Sequence, residues 1–302
     1  MFIVTYRNFF YVLSGLIVVA AIVVTVVLGL RFSIDFTGGA LTEVRYPGGN
    51  PALEELSNRL NNLPLGNYSL RPAGEDRYIL RTRDLSEEER QALEGVLSLG
   101  GERNVVIERF NSVGPVLGTE LRNKALVAIA IVIVLISLYI AFVFRKVSEP
   151  VSSFKYGLVA ILALVHDTMV PVGIFAVLGV LAGVEVDALF VSALLAILGY
   201  SINDTIIVFD RVRENLRLNQ ELRRKEDFAL TVGKSLQQAY ARSINTSLTT
   251  ALVLVALFFL GGDATKFFAL ALFLGVVAGA YSSIFLAAPL LVTLERRQGS
   301  KR

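Results

Sequence analysis

The chain has no cysteine and no tryptophan, only one histidine, and few charges: Asp, Glu, Lys and Arg make up 18% of its 302 residues. Without cysteine there is no disulfide framework, no thiolate zinc site and no cysteine nucleophile. A single imidazole, His166, excludes multi-histidine metal sites and makes conventional hydrolase constellations hard to assemble. No G-x-x-x-x-G-K-[ST] loop occurs, so nothing points to nucleotide hydrolysis by this chain. The expectation is a protein that is not an enzyme and holds neither metal nor organic cofactor. The formal charge of +3 and the pI near 9.1 would fit a nucleic-acid partner only if the basic residues lined one soluble face. They sit instead in loops between apolar runs, which is a topology signal, and no nucleic acid is expected.

What is abundant is apolar. Hydrophobic residues reach 54% and the mean hydropathy is +0.61, outside the range of an ordinary soluble domain. A membrane span needs about 20 predominantly apolar residues. Six windows qualify: residues 10–30, 125–144, 158–181, 188–209, 240–260 and 267–292. The first is longer than a signal-peptide core, and no A-x-A-like cleavage site follows at Leu30-Arg31-Phe32-Ser33, so it reads as a retained anchor.

Lys and Arg set the orientation. Arg145, Lys146 and Lys155 separate spans two and three, and seven basic residues from Arg211 to Lys234 separate four and five. Arg296, Arg297, Lys301 and Arg302 follow span six, while Gly183–Asp187 has no basic residue and Gly261–Lys266 has one. Positive-inside then predicts cytoplasmic N- and C-termini, with the long segment 31–124 outside. The predicted organisation is a cytoplasmic N-terminus and first span over 1–30, and an extracytoplasmic domain over 31–124. Spans two to six follow over 125–292 with a cytoplasmic loop at 210–238, and 293–302 is a cytoplasmic tail. That loop mixes Arg, Lys and Glu with Leu216, Leu222, Phe228 and Leu230, which reads as a charged helix on the membrane surface, touching lipid or a partner.

The external segment alternates like strands at 40–46, 68–71, 77–83 and 104–110. Helical spacing over 51–62 puts Leu53, Leu56 and Leu60 on one face, and Ser86 is placed to cap a second helix that stops at Gly100-Gly101. The order β-α-β-β-α-β predicts a ferredoxin-like module of about 70 residues.

Ionisable groups inside the spans carry the chemistry, because a charge at a bilayer centre costs roughly 2.5–3.5 kcal/mol even on lenient scales. Asp204, beside Asn203, lies about 8 Å from the cytoplasmic end of span four, and Asp167, beside His166, about 14 Å deep in span three. At the head of span five, Arg242, Asn245 and Thr249 fall at i, i+3 and i+7 as one polar stripe, broadened by Ser243, Thr246, Ser247 and Thr250. Arg242 matches Asp204 in depth. Two readings stand for this pair: a proton-binding acid with a basic neighbour, or static glue between spans four and five. Arg242 as an interfacial snorkelling residue is a third. His166, Asp167, Asn203, Asn245 and Thr249 are either relay members or helix-packing residues. Gly275 and Gly279 form a G-x-x-x-G packing face in span six.

These residues resemble the SecF family, the smaller half of the bacterial SecD–SecF export complex. Ile34-Asp-Phe-Thr-Gly-Gly39 is similar to the family's opening motif, with Asp35, Gly38 and Gly39 as its marks. Val165-His-Asp167 is similar to a second signature. Gly199-Tyr-Ser-Ile-Asn-Asp-Thr205, continuing through Phe209-Asp-Arg-Val-Arg-Glu-Asn215 with Asp210 and Arg211, is the most specific. Arg242 to Thr250 resembles the span-five segment. The resemblance implies a six-helix half of an RND-like unit that, with SecD, uses protons as coupling ion in late protein translocation. Asp204 and Arg242 would be its relay residues. SecD, the SecYEG channel with YajC or YidC, the unfolded exported polypeptide and membrane lipid would be its partners. Half of an RND-like exporter of lipids or small hydrophobic molecules is the alternative.

Overall fold

The computed structural model describes residues 2–144 and 151–299, so the predicted basic positions Arg145, Lys146, Lys301 and Arg302 lie outside the described residues. Along the chain the elements are α1 (Phe2–Thr5), α2 (Arg7–Leu28), α3 (Ile34–Thr37), β1 (Gly39–Arg45), α4 (Leu53–Leu60), β2 (Ser69–Pro72) and β3 (Arg77–Thr82). They continue as α5 (Glu87–Leu97), β4 (Val106–Val113), α6 (Pro115–Val143), α7 (Ser153–Leu181), α8 (Ala188–Glu221), α9 (Phe228–Leu260) and α10 (Asp263–Ser282). A π-helical turn, Ser283–Ala287, then leads into α11 (Ala288–Gly299). Two units result: residues 1–31 with 127–302, and residues 32–126.

The second unit is a four-stranded antiparallel sheet in the order β2-β3-β1-β4, the ferredoxin-like arrangement predicted. Its core is Val44, Tyr46, Leu56, Leu60, Tyr78, Leu80, Leu93 and Leu97, supplied by alternate strand positions and one stripe of each helix. Leu53 departs from the expected face: it opens α4 and is exposed, so the buried stripe starts a turn later. The short helix α3 was not expected from the sequence. Its glycines explain the opening motif in steric terms. Gly38 and Gly39 have φ of +74° and +119°, and a Cβ on Gly38 would lie 2.6 Å from the Pro115 Cα. A Cβ on Gly39 would lie 2.6 Å from the Thr82 carbonyl oxygen.

Ser86 caps α5 in a reciprocal box: Ser86 Oγ accepts from the Glu89 N–H at 3.3 Å, and Glu89 Oε2 accepts from the Ser86 N–H at 2.9 Å. The Arg83 guanidinium, and after it the Ser86 N–H, hold the Glu89 carboxyl down at about 2. A folded-state value below the unfolded one of about 4.3 gives support that is complete above that pH and fades as pH falls towards about 2. Amide exchange in the first turn of α5 should therefore quicken across that window, more so at low salt because Glu89 is solvent-screened. Glu89→Gln should remove the pH-dependent part. An unchanged profile in the variant would assign the effect to another group.

Among the described residues, six helices are long and apolar enough to span a membrane: Arg7–Leu28, Pro115–Val143, Phe154–Leu181, Ala188–Glu221, Phe228–Leu260 and Thr265–Arg297. Helix α6 begins ten residues before the predicted window. Pro115 takes the first helical position, and Glu120 pairs with Lys124 at 2.7 Å one turn on, so the helix continues through polar residues that a hydropathy window discards. The expected surface helix at 210–238 is instead two helical extensions, the end of α8 and the start of α9, joined at residues 222–227. No Gly or Pro occurs from Tyr200 to Val232 to stop either helix, and the turn is made by Arg223 at φ +51°. Asn215 Nδ2 donates to Ser235 Oγ at 2.8 Å and to Gln238 Oε1 at 3.0 Å, and Asn219 Nδ2 donates to Glu226 Oε2 at 3.1 Å. Lys234 Nζ also donates to Glu226, and with Asn219 it holds that carboxyl below its ordinary range. Phe144, Tyr156 and Phe209 seat α8 in an aromatic cluster, with ring centroids 5.1–5.9 Å apart. Phe209 of the long motif is thus a core residue. Asp210 is exposed, and its partner at 3.5 Å is Arg213, while Arg211 pairs with Glu214 at 2.8 Å.

Candidate functional site

Helix α8 is pulled close to α10 by the G-x-x-x-G face. A Cβ on Gly275 would fall 2.3 Å from Ile197 Cγ1, and one on Gly279 would fall 3.1 Å from Ser201 Cβ. That approach brings the next turn of α8, with Ser201, Asp204 and Thr205 all buried, against the polar end of α10. Helix α7 packs on α2 in the same way, with Gly173 against Ala21.

Between these helices lies Asp167, fully buried. Ser282 Oγ donates to its Oδ2 at 2.7 Å, Ser201 Oγ donates to the same oxygen, and His166 Nδ1 lies 2.9 Å from its Oδ1. Pro171, four residues on, has no N–H to give the Asp167 backbone carbonyl, which therefore lacks its usual helical donor. The His166 ring stacks on Tyr281 at 5.6 Å, and the Tyr281 hydroxyl meets Ser14 Oγ of α2 at 3.2 Å. Nε2 of His166 is buried without a hydrogen-bond partner.

Asp204, also fully buried, is provided for very differently. Ser247 of α9 donates to its Oδ2 at 2.8 Å, and Oδ1 has no partner. Thr205, its neighbour, meets Ser283 of the π-helical turn at 2.9 Å, so an irregular stretch of helix sits beside the acid. The contrast has a chemical meaning. Three donors suit an ionised carboxylate at Asp167, whereas Asp204 has an oxygen that a proton, a water or a partner's donor must satisfy.

Arg242 does not meet Asp204. The polar residues of α9 split into two faces: Ser243 and Ser247 turn inwards, while Arg242, Asn245 and Thr249 are exposed. Five residues separate Arg242 from Ser247, which is about 140° around a helix, so both cannot face one acid. Asn203 is exposed likewise, and among the described residues the side chains of Asn203, Arg242 and Asn245 form no hydrogen bond or ion pair. Tyr200 reaches α9, donating to the Thr246 carbonyl at 3.2 Å and meeting Thr250 Oγ1 at 3.0 Å. Asp35 is in the second unit, in the first turn of α3. Sequence reasoning missed Ser14, Tyr281, Ser282 and Ser283. The run Tyr281-Ser-Ser283 inside an apolar span was the available signal. Among the described residues no cluster of His, Asp and Glu is suited to a metal ion.

Comparison with known proteins gives this arrangement a family. The profile described as "Protein export membrane protein SecD/SecF, C-terminal" matches residues 96–297. The protein translocase subunit SecF of Thermobaculum terrenum is 42% identical, covering 98% of this chain and 94% of the relative. That of Anaerolinea thermophila is 36% identical, covering 96% and 92%. The crystal structure of SecDF from Thermus thermophilus, a translocon-associated membrane protein, superposes with a TM-score of 0.80 at 33% identity. It covers 97% of this chain, and this chain spans 38% of that SecDF chain. With six apolar helices and these relatives, this is a multi-pass membrane protein, and the chain belongs to the SecD/SecF family of protein export membrane proteins.

Proposed function

We propose that the chain is a proton-coupled accessory subunit of the Sec translocase that acts with a SecD partner late in protein export. The observation that carries the proton-coupled reading is Asp204, a buried acid one donor short, in a bundle built of apolar helices. Burial disfavours the charged form of a carboxyl and an approaching cation favours it, so a change of surroundings at Asp204 binds or releases a proton. The exposed stripe of Arg242, Asn245 and Thr249 beside it supports a protein partner. Polar side chains facing hydrocarbon are costly, and a second polypeptide relieves that cost. The fusion of both halves in the Thermus thermophilus SecDF, of which this chain covers 38%, supports SecD as that partner. Arg242 would then act across the subunit boundary as well as towards α8.

The relatives' names favour an export subunit over half of a small-molecule exporter, and the family is not a recognised enzyme class. In the orientation that positive-inside gives, the α8–α9 extension and both termini face the cytoplasm of a bacterial inner membrane, and residues 32–126 face outwards. SecYEG, YajC or YidC, and the emerging unfolded polypeptide are the remaining partners of this reading. Protons are the coupling ion, with no bound cofactor. Membranes lacking the chain should export a secreted reporter slowly, and restoring it together with SecD should return a share of export that a proton ionophore abolishes. Export restored with no ionophore-sensitive share would refute the proton-coupled reading.

A further inference from the structure

We infer that His166 and Asp167 form a second proton-binding site, lodged wholly within this chain, which exchanges protons in step with Asp204. The inference rests on the reading of Asp204 as a proton carrier and adds a second group to it.

The interior around the pair is poor in charge. Helix α2 has no ionisable group after Tyr11, and α7 has only His166 and Asp167 beyond Tyr156. Helix α8 offers Asp204 alone between Asp187 and Asp210, apart from the Tyr200 hydroxyl that turns to α9. Helix α10 offers Tyr281 beyond Lys266, the π-helical turn offers none, and the charges of α11 (Glu295, Arg296 and Arg297) follow Leu294, which meets Lys155 about three turns along α7 from His166. The titratable groups facing His166 are therefore Asp167, Tyr281 and, one turn along α8 from Ser201, Asp204. None is a lysine or arginine. Among the described residues, protonated His166 is then the one internal cation placed to balance an ionised Asp167, and a buried charge left unbalanced is disfavoured.

The contacts allow both states. With the imidazole protonated, Nδ1–H donates to Asp167 Oδ1 across 2.9 Å, and Ser201 and Ser282 complete the carboxylate's shell. Uptake of one proton at Nε2 of the neutral imidazole gives the imidazolium–carboxylate pair, and its loss from Nε2 reverses the step; within the protonated pair the Nδ1 proton can cross to Oδ1, giving a neutral imidazole and a carboxylic acid with no change in the pair's proton count. Ser201 and Ser282 hydroxyls can then turn to accept or donate. Nε2 is the remaining terminus: 2% exposed as a residue, with no partner at that atom, His166 has one ring nitrogen free to meet a water or take up a proton. A packing histidine would be expected to spend that nitrogen on a backbone carbonyl. Ser201 ties the two sites mechanically, since it bonds Asp167 and stands three residues before Asp204 on the same face of α8. A move of α8 that alters the surroundings of Asp204 also removes a donor from Asp167.

His166 is the only histidine of the chain, so histidine-selective isotope labelling yields a single imidazole to follow. The full chain in lipid nanodiscs should give a nitrogen NMR signal that changes from that of a neutral to that of a protonated imidazole as the pH is lowered. Asp167→Asn removes the counter-charge and should weaken proton binding by about tenfold or more. In the assembled complex, His166→Gln keeps a donor to Asp167 yet cannot ionise. It should alter the pH profile of ionophore-sensitive export, where a purely structural histidine would not. An imidazole fixed in one neutral tautomer over the whole range, or a wild-type pH profile in His166→Gln, overturns the inference. Those results leave the Asp204 reading standing, whereas wild-type proton-dependent export by Asp204→Asn would overturn that reading.

Discussion

Asp204→Asn is expected to abolish the ionophore-sensitive share of export, a loss of at least about tenfold, while the chain still assembles with its partner. The substitution keeps size and hydrogen-bonding capacity, so Ser247 can still donate to the side-chain oxygen as it does at 2.8 Å. What disappears is the ability to bind and release a proton. The neutral amide also satisfies the orphan position at Oδ1 no worse than the present arrangement does, so folding should be unharmed. Static glue between α8 and α9 predicts the opposite pattern: mild functional effects and lower stability, since a locking interaction would be lost. Assembly measured by co-purification and export measured with and without ionophore separate the two. An assembled Asp204→Asn complex that keeps full proton-dependent export contradicts the role given to this acid.

The second large effect concerns the small residues of α10. Gly275→Leu should destabilise the bundle by about 3 kcal/mol, at the upper end of what overpacking a tight core costs. The hypothetical Cβ at this position already falls 2.3 Å from Ile197 Cγ1 and 2.7 Å from its Cγ2. Ile197 is buried and β-branched, so it has little rotameric room to retreat. Gly275→Ala should cost less, and Gly279→Ala less again, because its nearest neighbour is Ser201 Cβ at 3.1 Å. Thermal unfolding of the purified chain in detergent gives the ranking. The leucine variant should also lose ionophore-sensitive export, because parting α8 from α10 separates Ser201 from Ser282, and both bond Asp167. Equal stability across the three variants would mean that the close approach is not a determinant of the bundle.

Much of this was legible in the residues. Apolar length alone gave the six spans, because a bilayer leaves the backbone few other options. Alternation and a cap signal make the strand and helix order of the small unit readable, down to the Ser86 N-cap, while the reciprocal Glu89 bond of the box comes from the structure. Element ends were less legible where charge and helix coincide: α6 begins at Pro115 and α8 runs to Glu221 through residues that no hydropathy window counts as a span. The site was half legible. Depth singles out Asp167 and Asp204, which are both buried, but it cannot say which neighbours they meet. The stripe on α9 reads as one polar face in the sequence, yet the helix turns Ser247 towards Asp204 and Arg242 away from it. Serine is the reason for the gap: small and common at helix interfaces, Ser14, Ser282 and Ser283 read as packing residues until the structure places them beside the buried groups.

The claim at the centre of this account is that Asp204 takes up and gives up a proton in the working complex. Infrared difference spectra of the complex with SecD in vesicles, recorded before and after a proton gradient is imposed, test it directly. The expected result is a carbonyl band of a protonated, water-excluded carboxylic acid that changes with the gradient and is missing from Asp204→Asn. A spectrum in which that band is absent, or persists unchanged in the variant, contradicts it.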